Sequence, residues 1–94
     1  MKLNILCIGD IVGRPGKRIL ADNLAAIIKE HQIDCVIANA ENISNGRGVT
    51  EESIEEMKKA GIQFFTSGNH VYAQKKILPK LDDKKYPVIR PANF

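Results

Sequence analysis

Aromatic residues are scarce, 5% of the chain, and no run of five or more lysines or arginines occurs in it. Both shortages argue against a dedicated nucleic-acid surface, which needs clustered positive charge and rings on which bases can stack. Charge of one sign is weak as well. Fourteen basic residues against eleven acidic ones leave +3, only a faint pointer toward anionic partners. Two cysteines cannot build a disulfide framework in a chain of this size. The longest apolar stretch near the start, Ile5–Ile8, is broken by Gly9-Asp10, so neither a signal peptide nor a membrane span is expected. Seven glycines and four prolines, beside 27% charged residues, fit neither a fibrous repeat nor a disordered segment. What remains is one small soluble domain of 94 residues, 44% hydrophobic, in a reducing and cytoplasmic setting.

Strand-like runs alternate with helix-like periods, the pattern of βαβ units around a parallel sheet, and the fold class expected is α/β. Leu3–Ile8 is apolar except for Asn4, as in a strand covered on both faces. Pro15 suits the first turn of the helix that follows, where its missing N–H costs nothing. Ile19, Leu20, Leu24, Ile27 and Ile28 lay one apolar stripe along that helix. Cys35–Ala38 makes a second strand. Thr50 is a natural N-cap, Glu51 and Glu52 fill a first turn, Lys58 and Lys59 a last turn, and Gly61 a C-cap, so charge order matches the helix dipole at both ends. Ile62–Thr66 reads as a third strand, Lys75–Leu78 as a short helical piece ending at Pro79, and Tyr86–Arg90 as a fourth strand. Pro87–Phe94 lacks a polar, fraying tail, and a sheet this narrow leaves apolar edges. Residues 1–94 are therefore expected to be a part of one larger domain.

The most informative pattern is positional. Each of the three main strands ends in a small residue followed by a potential metal ligand: Gly9-Asp10, Ala40-Glu41-Asn42 and Gly68-Asn69-His70. In a parallel sheet all such ends lie on one edge, where ligands of open α/β sheets bind. Asp10, Glu41, Asn42, Asn69 and His70 are thus expected to converge. Carboxylates, amide oxygens and an imidazole form the mixed set that suits Mn, Fe or Zn rather than a soft metal. Turn capping alone would explain Asp10 and Asn69 taken singly, but turn chemistry requires neither a Glu nor a His.

Other features carry less. Gly9 to Lys17 lacks both the P-loop spacing and the dinucleotide-binding spacing. Its glycines either turn the chain tightly or open a helix N-terminus to an anion. Arg47, in the Asn45-Gly46-Arg47-Gly48 loop, is either a phosphate contact or a solvated arginine. His31 falls near a helix end, and Cys7 and Cys35 fall inside strands, where they act as small hydrophobes.

The segments Gly9-Asp10-Ile11-Val12-Gly13-Arg14-Pro15-Gly16, Asn39-Ala40-Glu41-Asn42, Gly68-Asn69-His70 and Arg90-Pro91-Ala92-Asn93 occur in that order. With them the chain resembles, over essentially its whole length, the N-terminal part of the YmdB-like branch of bacterial calcineurin-type metallophosphoesterases. That branch is linked with 2′,3′-cyclic-nucleotide phosphodiesterase activity. The resemblance implies the N-terminal part of a metallophosphoesterase sandwich holding two divalent ions, Fe or Mn, with Zn or Mg as alternatives. By the same resemblance Asp10, Glu41 and Asn42 hold one metal, Glu41 bridges, Asn69 holds the second, and His70 protonates the leaving oxygen. The histidines that complete the site in the family lie beyond the region matched here. Tyr72-Ala73 stands where the family tends to have Trp-Asp, and Asn45 where glycine is common.

Three classes of function fit these features. A metallophosphodiesterase acts on a small phosphodiester, a cyclic nucleotide or an RNA end. A non-catalytic phosphate- or nucleotide-binding module would bind in a chelator-insensitive way. A scaffold would pair its sheet edge with another copy, as a homo-oligomer, or with another segment.

Overall fold

The computed structural model describes residues 1–92; the motif residue Asn93 and Phe94 lie outside the described residues. Three parallel strands, β1 (Ile5–Asp10), β2 (Cys35–Asn39) and β3 (Phe64–Thr66), form a sheet in the order β1-β2-β3. Each is joined to the next through a helix, α1 (Gly13–His31) and α2 (Glu51–Ala60), and the chain continues through a 3₁₀ turn at Lys75–Ile77 into α3 (Leu78–Leu81). The α/β class and the parallel βαβ order expected from the hydrophobic pattern are those observed.

The core is one-sided. Leu6 pairs with Val36, and Ile8 with Ala38, which in turn pairs with Phe65. This row packs with Leu24 of α1 and Ile54 and Met57 of α2, all fully buried. Residues of the other parity form a second row, Cys7–Ile37–Phe64, with Ile5 opposite Cys35. That side is open: Ile5 is 52% and Phe64 56% accessible, and Cys7 is exposed. The strand expected to be covered on both faces is therefore covered on one, because both crossovers place their helices on the same side, as right-handed connections do. Along α1 the buried stripe is Leu20, Leu24 and Ile28, while Ile19 points to solvent.

Local chemistry explains most boundaries. The Thr50 hydroxyl accepts from the Ser53 N–H, with Glu51 and Glu52 in the first turn of α2, Lys58 and Lys59 in the last, and Gly61 at the C-cap. β3 starts at Phe64 rather than Ile62, which is buried in the connection instead. Pro79 does not end a helix. It sits in the first turn of α3, where a missing N–H goes unmissed. The fourth strand reduces to a single parallel bridge between Phe65 and Val88, framed by bonds from the Phe65 N–H to the Pro87 carbonyl and from the Ile89 N–H to the Phe65 carbonyl. Proline at 87 has no N–H with which to extend that ladder. Among the described residues, no helix is long and apolar enough to cross a membrane.

Candidate functional site

The carboxyl edge of the sheet gathers the residues that the sequence singled out. The pairing slips between Ile8 and Asp10, so that Gly9 is an extra residue and Asp10 comes level with Asn39. Bulges of this kind re-aim a side chain at a strand end. Beyond β2 the chain turns at once: the Glu41 N–H bonds the Asn39 side-chain oxygen at 3.1 Å. The Gly48 N–H then closes the loop onto the Glu41 carbonyl, and the Gly13 N–H takes the Asn42 carbonyl at 3.1 Å. Asn45, Gly46 and Gly48 of this loop have φ of 55°, 83° and 83°. Asparagine is among the few side chains that enter this left-handed region readily, so Asn45 can replace the usual glycine.

Four of the five expected residues meet. The Asn42 Nδ2 group donates to Asp10 Oδ2 at 2.8 Å, and Asn42 Oδ1 lies 2.6 Å from His70 Nδ1. Glu41 Oε2 is 3.9 Å from the same ring nitrogen. A carboxylate only accepts, so Asp10 turns the amide with its NH₂ inward and its oxygen toward the imidazole. That oxygen also only accepts, so the proton of the neutral ring sits on Nδ1 and leaves Nε2 as the open nitrogen. Asn69 is exposed, and its side chain makes no bond to the described residues. Arg47 is exposed too. Its carbonyl takes the Gln74 side-chain N–H at 3.2 Å, while its guanidinium has no partner among the described residues.

Donor chemistry tests whether a divalent ion suits this edge. Among the described residues, no group of three or more His, Cys, Asp or Glu is placed to hold a metal by itself. An ion here would have to draw on amide oxygens as well. Asn42 Oδ1 has a second lone pair beyond the one facing His70, so it can serve both. Glu41 has a seat shaped for it. A Cβ built on Gly68 would fall 2.5 Å from Glu41 Oε2, so only glycine leaves the carboxylate room at the end of β3. The donors fit a hard or borderline divalent cation in type and provide part of its coordination in number.

Several contributors are not evident from sequence. By residue type Gly68 is merely a small residue before a ligand, and only the fold shows it to be the seat of Glu41. Tyr72, where the family tends to have Trp, hydrogen-bonds Arg90, whose guanidinium also holds Asp82 at 2.6 Å. Ser44 and Ser53 are buried and hydrogen-bonded to each other beneath the loop. Only the Thr50-x-x-Ser53 spacing hints at this.

A family profile described as YmdB-like protein matches residues 6–94. The chain belongs to the YmdB-like family. A Mycoplasma genitalium protein named a putative phosphatase/phosphodiesterase is 41% identical over 92 residues, covering 98% of this chain and 32% of its own. The Bacillus subtilis 2′,3′-cyclic-nucleotide 2′-phosphodiesterase is 34% identical, with 98% and 34% covered. A crystal structure of a Mycoplasma pneumoniae protein described as a novel phosphatase superposes with a TM-score of 0.88 at 37% identity, covering 95% of this chain and 31% of that one. A hypothetical protein from Thermus thermophilus superposes at 0.85 and 34% identity, covering 96% and 34%. This YmdB-like chain spans about a third of the length of the curated relatives it matches.

Proposed function

We propose that this YmdB-like protein is a metal-dependent phosphodiesterase of the cytoplasm that hydrolyses 2′,3′-cyclic nucleotides. The observation that carries the reading is the Asp10–Asn42–His70 hydrogen-bonded chain at the carboxyl edge, with Glu41 beside it. The name of the Bacillus subtilis relative supports the substrate class. In this reading Asp10, Glu41 and Asn42 would hold one divalent ion, and Glu41 and Asn69 would contribute to a second. Fe or Mn suits these donors, with Zn or Mg as alternatives. Such ions, when bound, supply Lewis acidity and make water a nucleophile near neutral pH.

The chain's own residues do the rest. Asp10 fixes the Asn42 amide, and Asn42 holds the Nδ1–H of His70. Nε2, after taking a proton from solvent to form the imidazolium, is the nitrogen that delivers that proton to substrate, returning the ring to its neutral Nδ1–H form. Opening a cyclic phosphate expels a ribose oxygen, a poor leaving group as an alkoxide. A positioned acid contributes roughly 10²–10⁴-fold at such a step. Two six-coordinate ions sharing two bridges need about ten positions, against the five side chains offered here. The 94-residue chain alone therefore binds at most one ion, weakly, and is inert.

The test is hydrolysis of 2′,3′-cyclic AMP, and of an RNA ending in a cyclic phosphate, by the parent gene product with Mn²⁺ and then with EDTA. Chelator-sensitive turnover of either substrate is expected, and which of the two turns over faster separates free nucleotide from RNA end. Nucleotide binding that ignores EDTA and leads to no turnover would make the protein a binding module. Hydrolysis by the 94-residue chain, or two tight Mn²⁺ sites in it, would overturn the assignment of inertness.

A further inference from the structure

Beneath the Glu41–Gly48 loop lies a polar cluster that the proposed chemistry does not use. The hydroxyl oxygens of Ser44, Thr50 and Ser53 lie at mutual hydrogen-bond distances: 2.7 Å for Ser44–Thr50, 2.9 Å for Ser44–Ser53 and 3.1 Å for Thr50–Ser53. Ser44 and Ser53 are 4% and 3% accessible, so water cannot replace a lost partner. Each oxygen also accepts one bond from a nitrogen, two of these bonds coming from backbone N–H groups of the triangle's own residues and one from Lys17. Lys17 Nζ donates to Ser53 Oγ at 3.1 Å, the Thr50 N–H to Ser44 Oγ at 3.0 Å, and the Ser53 N–H to Thr50 Oγ1 at 3.4 Å. Lys17 belongs to α1 and Ser53 to α2, and Lys17 Nζ stands 3.8 Å from Glu56 of α2. The triangle thus joins both helices to the loop that carries Glu41 and Asn42.

That loop needs an anchor. Three of its residues have positive φ, a composition that leaves the chain many alternative conformations. Its own closure rests on backbone bonds from Gly48 to the Glu41 carbonyl and between Ser44 and both Gly48 and Arg47. The side chain of Ser44, two residues after Asn42, is a buried polar point at which the closed loop meets the helices, alongside the bond from the Gly13 N–H of α1 to the Asn42 carbonyl. Resting on the phosphodiesterase reading above, we infer that Ser44 and Ser53, with the Lys17 ammonium, are positioning residues. They set the plane of the Asn42 amide and, through it, the proton placement on His70. Groups that orient ligands in this way typically alter metal affinity 10–100-fold.

The test uses ¹⁵N NMR of the imidazoles in the metal-free 94-residue chain, together with Mn²⁺ titration, in wild type, Ser44→Ala, Ser53→Ala and Lys17→Met. His31, exposed on α1, is the internal control, and Val36→Ala is a variant that loses core packing on β2 without touching a hydroxyl of the triangle. Wild type should show His70 as a single Nδ1–H tautomer. Ser44→Ala and Ser53→Ala should mix the tautomers and weaken Mn²⁺ about tenfold. Lys17→Met, which leaves the three hydroxyls in place and is the variant best able to fold, should show a smaller shift in the same direction, while Val36→Ala should show none. A wild-type His70 spectrum in all three triangle variants would overturn the inference, and so would mixing in Val36→Ala, which would mark it as a mere stability effect. The metal reading is decided separately, by chelator-sensitive turnover of the parent gene product, so its failure leaves the tautomer test to decide this one.

Discussion

Asp10 and Asn42, 32 positions apart, meet at 2.8 Å, and their bond decides which way the Asn42 amide faces. Because the amide oxygen then meets His70 at 2.6 Å, a carboxylate two hydrogen bonds removed from the imidazole fixes its tautomer. Asn42→Asp keeps the shape and removes the NH₂ donor, leaving two carboxylates face to face. Turnover by the parent enzyme is expected to fall roughly 10–100-fold, the scale of lost orienting contacts, with an unchanged circular dichroism spectrum. Activity within about twofold of wild type, far below that scale, would refute the orienting role.

His70 is proposed as an acid and not as a ligand. His70→Ala in the parent enzyme should therefore lower kcat by roughly 10²–10⁴ and leave the metal content, measured by atomic emission, nearly unchanged. Loss of metal from that variant would reassign His70 as a ligand.

A side chain at position 68 would take the place of the Glu41 carboxylate. A Cβ there falls 2.5 Å from Glu41 Oε2 and 2.7 Å from Glu41 Cδ, so Gly68→Ala must displace the carboxylate. The displaced group is partly accessible and can swing outward, so a stability loss of only about 1 kcal/mol is expected, alongside at least roughly tenfold weaker Mn²⁺ binding. Isothermal titration and chemical denaturation measure the two separately.

Tyr86 gives a pH signature. Burial, and after it the carboxylates of Glu51, Glu55 and Glu52, push its hydroxyl from 10.0 up to about 12. A group whose pKa is raised by folding stabilises fully below its unfolded value and loses that contribution as pH rises through the folded one. The stability of the wild-type chain should thus fall between about pH 10 and 12 by more than that of Tyr86→Phe. The buried Tyr86 oxygen has no hydrogen-bond partner among the described residues, so Tyr86→Phe should cost nothing at about pH 7, and removing an unsatisfied polar atom can gain about 1 kcal/mol. Urea denaturation at neutral pH and at two points across the alkaline window is the measurement.

Much of this was legible in the sequence where short-range chemistry governs. The Thr50 cap, the acidic and basic ends of α2, and the parallel edge that unites Asp10, Glu41, Asn42 and His70 follow from spacing and residue type. What was not legible depends on layers. Ile5, Cys7 and Ile19 look like core residues by hydrophobicity, and only the one-sided placement of α1 and α2 leaves them wet. Pro79 reads as a stop until its place in a first turn is seen, and the stretch around Val88 is limited to one bridge by Pro87. Asn69 carries a ligand's chemistry and yet is exposed, with no side-chain hydrogen bond to the described residues.

The parallel order of the three strands has a consequence for how the chain acquires its site. Every strand-to-strand pairing here spans a full crossover, so the rim cannot assemble piecemeal: a nascent chain holding only β1 and α1 has Asp10 but nothing to orient. Non-local closure of this kind slows folding. Hydrogen exchange of the backbone amides paired between β1 and β2 would consequently report the cooperative opening of the sheet rather than a local fluctuation of one strand.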